Sequence, residues 1–193
     1  MALPDMLAIL AAIVSLAAYV VYNAVALKDK SKTLNLATLV LWLSMSAISA
    51  FTYRSGTGDY FKAAVPFANM FANAVSLGIA TWLGGSFHKF NTGEKRMILV
   101  GFIAILGWKL ANPMLGNYIV IVAVSTSLIP IYRDVLTNPR SQHWLPWLLW
   151  TTAFGLQTTV VALKYDGHYG QFAQPVIYAV LHGSIWILSL RKQ

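Results

Sequence analysis

Residues 125–157 read STSLIPIYRDVLTNPRSQHWLPWLLWTTAFGLQ, and this stretch decides the fold. An apolar run that contains Pro130 leads into a short basic loop, and a second, tryptophan-rich apolar run begins at Trp144. A proline inside a helix removes a backbone hydrogen bond and bends the helix, and the pair Asn138-Pro139 is typical of a turn. The pattern predicts two helices joined by a tight loop, with a kink just before it.

The composition places these helices in a membrane. Of the 193 residues, 58% are hydrophobic and 10% are charged, whereas a soluble domain carries about 25% charged residues. The chain has no cysteine, which excludes disulfides, thiolate metal sites and cysteine nucleophiles. The net charge of +8 comes from short loops and not from a basic stripe interleaved with aromatics, so we expect no nucleic-acid partner.

Seven apolar segments are long enough to cross a bilayer, which takes about 20 residues. They are 7–27, 33–53, 63–86, 97–114, 116–133, 144–164 and 172–190. The fourth and fifth are separated only around residues 112–117. The loops between the segments are too short to hold a soluble domain, so any function has to lie within the membrane or at its surface.

The loop charges orient the chain. An N-terminus outside puts ten Lys and Arg residues in cytoplasmic loops and three outside, which is the bias expected of membrane proteins. The ten are Lys28, Lys30, Lys32, Lys89, Lys95, Arg96, Arg133, Arg140, Arg191 and Lys192, and the three are Arg54, Lys62 and Lys164. No basic residue precedes the first apolar run, so we expect no cleavable signal peptide. The sequence predicts a multi-pass protein of the plasma or inner membrane, with a cytoplasmic C-terminus.

The chain repeats itself around the fourth segment. Tyr22, a basic loop and Trp42 follow one another as Tyr132, a basic loop and Trp150 do later. At an offset of 109 residues, Pro66 matches Pro175, Asn69 matches Tyr178 and Asn73 matches His182. Repeated halves are typical of transporters. The sequence predicts an all-α membrane protein of seven transmembrane helices. Two parallel three-helix bundles, 1–86 and 116–193, are joined by a linker helix in 87–115.

This three-one-three arrangement resembles the SWEET, or MtN3-type, sugar carriers. The element formed by Pro130, a basic loop and a tryptophan-rich helix is similar to the PQ-loop motif of their superfamily, although Ile131 stands where that motif has glutamine. The superfamily also contains lysosomal amino-acid exporters and bacterial nicotinamide riboside carriers. The resemblance implies a facilitative carrier of a sugar or sugar-like solute that works by alternating access. A nicotinamide riboside carrier and a non-transporting scaffold remain alternatives.

Two asparagines are the leading site candidates. Asn69 and Asn73 lie one turn apart on one face of segment three, and amides at mid-membrane are costly unless they are paired or hydrated. They either bond neighbouring helices or line a cavity. The resemblance favours the cavity, because SWEET-like carriers hold substrate with an asparagine on helix three and its equivalent on helix seven. Asn73 matches the first position and His182 the second.

The remaining candidates come from the repeat and from helical spacing. Flat aromatic side chains suit sugar rings and nucleobases, and lipid-facing packing is the alternative for the tryptophans. The predicted substrate-binding residues are Trp42, Asn69, Asn73, Trp150, Gln157, Tyr178 and His182. The predicted hinge and gate residues are Tyr22, Pro66, Pro130, Tyr132, Pro146 and Pro175.

Other functional classes fit less well. A retinal protein needs a lysine deep in the seventh helix, and an enzyme needs clustered nucleophile, base or metal ligands. The six acidic residues lie in loops or at helix ends, which favours facilitated diffusion of an uncharged solute over a carboxylate-driven pump. We therefore expect no enzymatic activity, no cofactor and no metal, with lipid and a small molecule as partners. Proton coupling through His182 and a homo-oligomer stay open.

Overall fold

A computed structural model describes residues 1–28, 36–85, 89–90 and 92–191. Within these ranges the chain forms eight α-helices and two short 3-10 turns. The helices are α1 Leu3–Lys28, α2 Leu36–Thr57, α3 Ala64–Trp82, α4 Thr92–Leu110, α5 Pro113–Ser127, α6 Ile129–Thr137, α7 Trp144–Leu163 and α8 Ala173–Ser189. The turns are Pro139–Ser141 and Tyr169–Phe172.

The helices follow the seven predicted segments, with α5 and α6 sharing the fifth. Five spans are long and apolar enough to cross a membrane: Leu3–Val25, Leu36–Thr57, Ala64–Trp82, Pro113–Thr137 and Tyr169–Ser189. An all-helical chain with membrane-type helices is therefore confirmed. α4, which begins with a charged first turn, and α7 are not among these five spans.

Some predicted boundaries need comment. The fifth segment begins at Pro113, not at 116, because Asn112 caps α5 by accepting a hydrogen bond from the Leu115 N–H at 2.8 Å. Proline directly after the cap costs nothing, since its missing N–H has no helical acceptor. The boundary at 86/87, the start of the second segment at 33, and residues Lys30, Lys32 and Lys192 lie outside the described residues.

The predicted bend at Pro130 is present as a break between α5 and α6. α5 ends at Ser127, and the Leu128 N–H bonds the Ser125 carbonyl, three residues back, at 3.3 Å. Pro130 is then the second residue of α6. The regular α-helix is thus interrupted at Leu128, before the loop that leads to α7.

The kinks predicted at the other three prolines are wrong. Pro66, Pro146 and Pro175 are each the third residue of their helix, α3, α7 and α8 respectively. The N–H groups of a first helical turn have no acceptor within the helix, so a proline there removes no hydrogen bond. These prolines help to begin helices and do not bend them.

Six membrane-length helical units form a closed ring. α1 contacts α3, α3 contacts α2, α2 contacts α5, α5 contacts α8, α8 contacts α7, and α7 returns to α1. α4 packs against α5 and α2. Large apolar side chains of α4 are exposed, including Leu99, Phe102 and Leu110, as expected of a surface that meets lipid. The ring has an N-terminal face, where α1 begins, and an opposite face, where α1 ends.

The tightest approach between α4 and α5 is at Gly116. A Cβ atom there would lie 2.8 Å from the Ala104 carbonyl oxygen and 2.9 Å from the Trp108 Cβ. We expect Gly116→Ala to lower the free energy of unfolding by about 1–3 kcal/mol, the usual cost of overpacking. Gly155→Ala is the matched control, because no atom is found within 4 Å of the Cβ that this substitution would add. Thermal unfolding in detergent compares the two, and equal midpoints would contradict the close contact.

Candidate functional site

The ring of helices encloses a cavity of about 90 Å³. Aromatic rings make up much of its wall: Tyr19, Tyr22, Trp42, Trp147, Trp150, Phe154 and Tyr178, with the imidazole of His182. Its polar members are Ser46, Ser49, Asn69, Asn73, Ser127 and Gln174. Met45, Pro66, Met97, Val124 and Leu128 complete it. None of these lining residues carries a full charge at neutral pH, so the cavity suits an uncharged molecule.

Most of the predicted binding residues meet at this cavity. Six of the seven line it: Trp42, Asn69, Asn73, Trp150, Tyr178 and His182. Gln157 does not. Its side chain is buried, and its Nε2 donates to the backbone carbonyl of Lys62 at 2.9 Å. That bond ties α7 to the chain just before α3, which makes Gln157 a structural residue at the N-terminal face.

The predicted gate residues divide in the same way. Tyr22 and Pro66 line the cavity, whereas Pro130, Pro146, Pro175 and Tyr132 are not part of its wall. The hydroxyl of Tyr132 donates to the Leu181 carbonyl at 2.8 Å and is also in very close contact with the Ser184 hydroxyl. Tyr132 therefore braces α6 against α8.

Asn73 is the hub of a small polar network at the cavity wall. Its Nδ2 donates to the hydroxyls of Tyr19 and Ser46, each at 3.1 Å. These bonds hold α3 to α1 and α2. One turn away, Asn69 accepts a hydrogen bond from the Ser15 hydroxyl at 2.5 Å. Each amide is thus held through one of its two polar atoms, Oδ1 in Asn69 and Nδ2 in Asn73. The other polar atom of each amide is left for the cavity.

The imidazole ring of His182 is surrounded by aromatic side chains. Its ring centroid lies 5.3 Å from that of Phe154 and 5.6 Å from those of Trp147 and Trp150. Its Nδ1 lies 2.6 Å from the Tyr178 carbonyl oxygen. Because a carbonyl can only accept, Nδ1 must carry the proton, which leaves Nε2 of the neutral ring as an acceptor. His182 and Asn73, matched by the repeat, face the same cavity from α8 and α3.

A second polar layer escaped the sequence analysis. Gln174 donates from Nε2 to the Ser49 hydroxyl and accepts at Oε1 from Asn117, both at 3.0 Å. Asn117 and Gln174 are buried, and the layer joins α2, α5 and α8. The only sequence signal was the position of Gln174 one turn before Tyr178. Its amide is consumed by protein bonds, so it shapes the cavity wall without offering free hydrogen-bonding atoms.

Ion pairs join loops and helix ends at the N-terminal face. Lys62, in the α2–α3 loop, lies 2.8 Å from Asp166 and 2.7 Å from the Gln171 Oε1. Lys164, just after α7, lies 2.8 Å from Asp5 and from Asp59. Each ion pair joins an element between α1 and α3 to the segment after α7. We call these residues, namely Asp5, Asp59, Lys62, Lys164, Asp166 and Gln171, the lock.

Lys62 is the most deeply buried charged member of the lock. It is 2% exposed, which is uncommon for lysine unless the charge is paired. Its partner Asp166 is itself held by Gln171, whose Nε2 donates to both carboxylate oxygens at 3.0 and 3.2 Å. The Tyr53 hydroxyl donates to the Gln171 carbonyl at 2.7 Å. Loop charges had served the sequence analysis only as topology signals, so this arrangement was missed.

The lock sets the pKa values of its members. The hydrogen bond from Lys62, followed by that from Gln171, lowers the pKa of Asp166 from 3.8 to about 2. Burial works to raise the pKa of Asp59, but bonds from Lys164 and from the Phe61 N–H leave it below 3.8. Burial likewise works to lower the pKa of Lys164, whereas its bonds to Asp5 and Asp59 raise it above 10.5. Asp59, Lys164 and Asp166 are therefore charged throughout the neutral range.

Acid should open the lock only at low pH. A carboxyl whose folded-state pKa is depressed adds stability above its unfolded pKa and loses it as the pH falls through the folded value. For Asp166 this window runs from 3.8 down to about 2. We expect the melting temperature of the wild type to exceed that of Asp166→Asn by a constant difference from about pH 5 to 9. This difference should disappear as the pH falls from 3.8 to about 2. Melting curves across pH check this, and a margin already lost at pH 6 would contradict it.

Within the described ranges, no group of three His, Asp or Glu side chains is placed to hold a metal ion. No protein-family model, curated protein or solved structure matches this chain. The functional interpretation therefore depends on the cavity, the lock and the arrangement of the helices.

Proposed function

We propose that this chain is a facilitative carrier that moves a small uncharged polar solute across a membrane by alternating access. The observation that carries the proposal is a central cavity walled by both halves of the chain and covered at one face by ion pairs that join those halves. A cavity of about 90 Å³ is smaller than the ~300–1,000 Å³ of common ligand sites. The cavity must widen to admit a sugar-sized solute.

The contacts between pairs of helices support a three-one-three organisation. In the first half α3 lies between α1 and α2, and in the second half α8 lies between α7 and α5. The third helix of each proposed bundle is thus the central one. The halves meet where α1 contacts α7 and where α2 contacts α5. These two interfaces are equivalent under the repeat, as expected for two bundles related by a pseudo-twofold axis. α4 is then the linker that restores the orientation of the second bundle.

The two faces differ in how they are held. At the N-terminal face the lock crosses between the halves. At the opposite face the polar bonds of the described residues include Thr38 to Glu94 at 2.5 Å, which joins α2 to α4, and Arg191 to the Leu136 carbonyl at 3.0 Å, which joins the end of α8 to α6. Neither of these bonds joins the first half of the chain to the second. The arrangement favours a conformation that is closed at the N-terminal face, with rocking of the bundles around the cavity.

The orientation follows from the loop charges. The loops at the opposite face carry more basic residues than the loops at the N-terminal face. We therefore place the N-terminal face outside and the opposite face in the cytoplasm of a plasma or inner membrane. The lock is then the outer gate. Tyr22, a predicted gate residue, and Trp150, a predicted binding residue, have ring centroids 5.7 Å apart, so the two halves meet at the cavity wall.

Counterflow in liposomes tests the proposal. Purified protein is reconstituted, and entry of labelled solute is driven by a load of the same unlabelled solute, with glucose, sucrose, nicotinamide riboside, uracil and neutral amino acids as candidates. We expect saturable counterflow of at least one of the uncharged solutes, namely glucose, sucrose or uracil. Nicotinamide riboside is a cation and amino acids are zwitterions, so counterflow confined to them would contradict an uncharged solute. Protein that is folded yet gives no counterflow with any of the candidates would favour the non-transporting scaffold instead.

A further inference from the structure

The hydrogen-bonding atoms that the protein leaves unpaired define what the cavity can bind. Asn69 uses its Oδ1 to accept from Ser15, and no described residue pairs with its Nδ2, which is a donor. Asn73 uses its Nδ2 twice, and no described residue pairs with its Oδ1, which is an acceptor. One donor and one acceptor therefore stand a single helical turn apart on the same face of α3.

Two more unpaired groups come from α8. Nε2 of His182 has no hydrogen bond from the described residues and is an acceptor, since Nδ1 carries the proton. Tyr178 is 5% exposed, and its buried hydroxyl has no hydrogen-bond partner in the structure. A buried polar atom without a partner is destabilising. A bound molecule that pairs with these groups would remove this penalty.

The charge of the wall excludes anions. Nearly all lining residues are apolar, aromatic or amide side chains, and no lysine or arginine is among them. A carboxylate entering this site would lose its hydration without gaining a cation, and it would meet the acceptor atoms of Asn73 and His182. The cavity therefore discriminates between an amide and the carboxylate of the same shape.

Aromatic side chains supply further donors to the same wall. The Tyr22 hydroxyl and the indole N–H groups of Trp42, Trp147 and Trp150 line the cavity, and no described residue pairs with them. A flat ring that bears an amide buries its faces against this aromatic wall. Its adjacent C=O and N–H match the Asn69 donor and the Asn73 acceptor.

We infer that the solute is an uncharged planar ring bearing a lactam or carboxamide group, in preference to the corresponding anion. This inference rests on the proposed function only in assigning the cavity to a transported solute. The binding preference itself follows from the unpaired atoms of Asn69, Asn73, Tyr178 and His182.

Binding to the full-length protein in nanodiscs tests this preference. Trp42, Trp147 and Trp150 line the cavity, so quenching of tryptophan fluorescence reports occupancy. The probes are uracil, whose ring contains lactam groups, together with benzamide and its anionic counterpart benzoate. We expect uracil and benzamide to bind about tenfold or more tightly than benzoate, a difference of about 1.4 kcal/mol. Benzoate that equals benzamide would overturn the inference, as would the absence of binding by both amides.

Three variants locate the site. Asn69→Asp keeps the oxygen that accepts from Ser15 and replaces the free donor by an anionic acceptor, so we expect uracil affinity to fall about tenfold or more. Asn112→Asp makes the same change at a surface helix cap, where aspartate caps equally well, and should leave affinity unchanged. Tyr178→Phe removes the unpaired hydroxyl, and it should weaken uracil binding while raising the melting temperature. Unchanged affinity in both Asn69→Asp and Tyr178→Phe would contradict the assignment.

The outcomes for the carrier and for its solute are separable. Uracil binding in nanodiscs without counterflow in liposomes would refute the carrier and leave the binding preference standing. Counterflow of benzoate that equals that of benzamide would support the carrier and refute the preference.

Discussion

Replacing Asn73 by alanine is expected to reduce solute counterflow about tenfold or more, because it removes the acceptor that faces the cavity and the two bonds that fix it. Those bonds reach Tyr19 and Ser46 at 3.1 Å. The same loss will also cost about 1–3 kcal/mol of stability, the usual penalty for breaking buried hydrogen bonds. Uptake is therefore measured on protein that is shown to be folded by gel filtration and melting.

A matched control separates the site from the fold. Thr159 is an exposed residue of α7 whose hydroxyl bonds only its own helix, at the Gly155 carbonyl. Thr159→Ala should transport as the wild type does. Folded Asn73→Ala protein with wild-type uptake would remove Asn73 from the binding site.

Replacing Lys62 by methionine is expected to unlock the N-terminal face. The substitution keeps the length of the side chain but removes a charge that holds Asp166 and Gln171. The Asp166 side chain is 43% exposed, so water screens part of its ion pair with Lys62. We expect the loss of these bonds to raise the open population about tenfold.

Cysteine labelling measures this population directly. The chain has no cysteine of its own, so Ser46→Cys places a single thiol at the cavity wall. A membrane-impermeant maleimide added from the N-terminal face should label the Lys62→Met background about tenfold faster than the Ser46→Cys parent. Lys109→Met, an exposed lysine near the same face, is the control and should label at the parent rate. Equal rates in all three would mean that Lys62 does not hold the face closed.

The helices and most of the cavity were within reach of the sequence. An apolar run of membrane length has few alternatives to a helix, so the spans followed directly. Asn69 and Asn73 were identified by their spacing, and His182 and Tyr178 by their match to them at a fixed offset. Repeat and periodicity together pointed to residues that the structure brings to one cavity.

The errors have a common physical source. α7 is apolar on all sides, so its sequence does not tell which face looks inward, and Gln157 was assigned to the cavity instead of to the Lys62 carbonyl. The prolines were read as kinks because helix starts were placed by hydropathy, which does not mark a first turn. The lock depends on which loops meet in space, and Lys164 and Asp5 are 159 residues apart.

The closed ring has a consequence for synthesis in the membrane. α1 emerges first, yet it packs against α3 and α7, and its buried Ser15 and its Asn23 bond side chains of α3. A nascent chain therefore holds these polar groups in lipid until α3 inserts. The ring cannot close before α7 arrives and Lys164 reaches Asp5. Chains halted earlier would present an open crescent with exposed amides, which a membrane quality-control protease can distinguish from the finished protein.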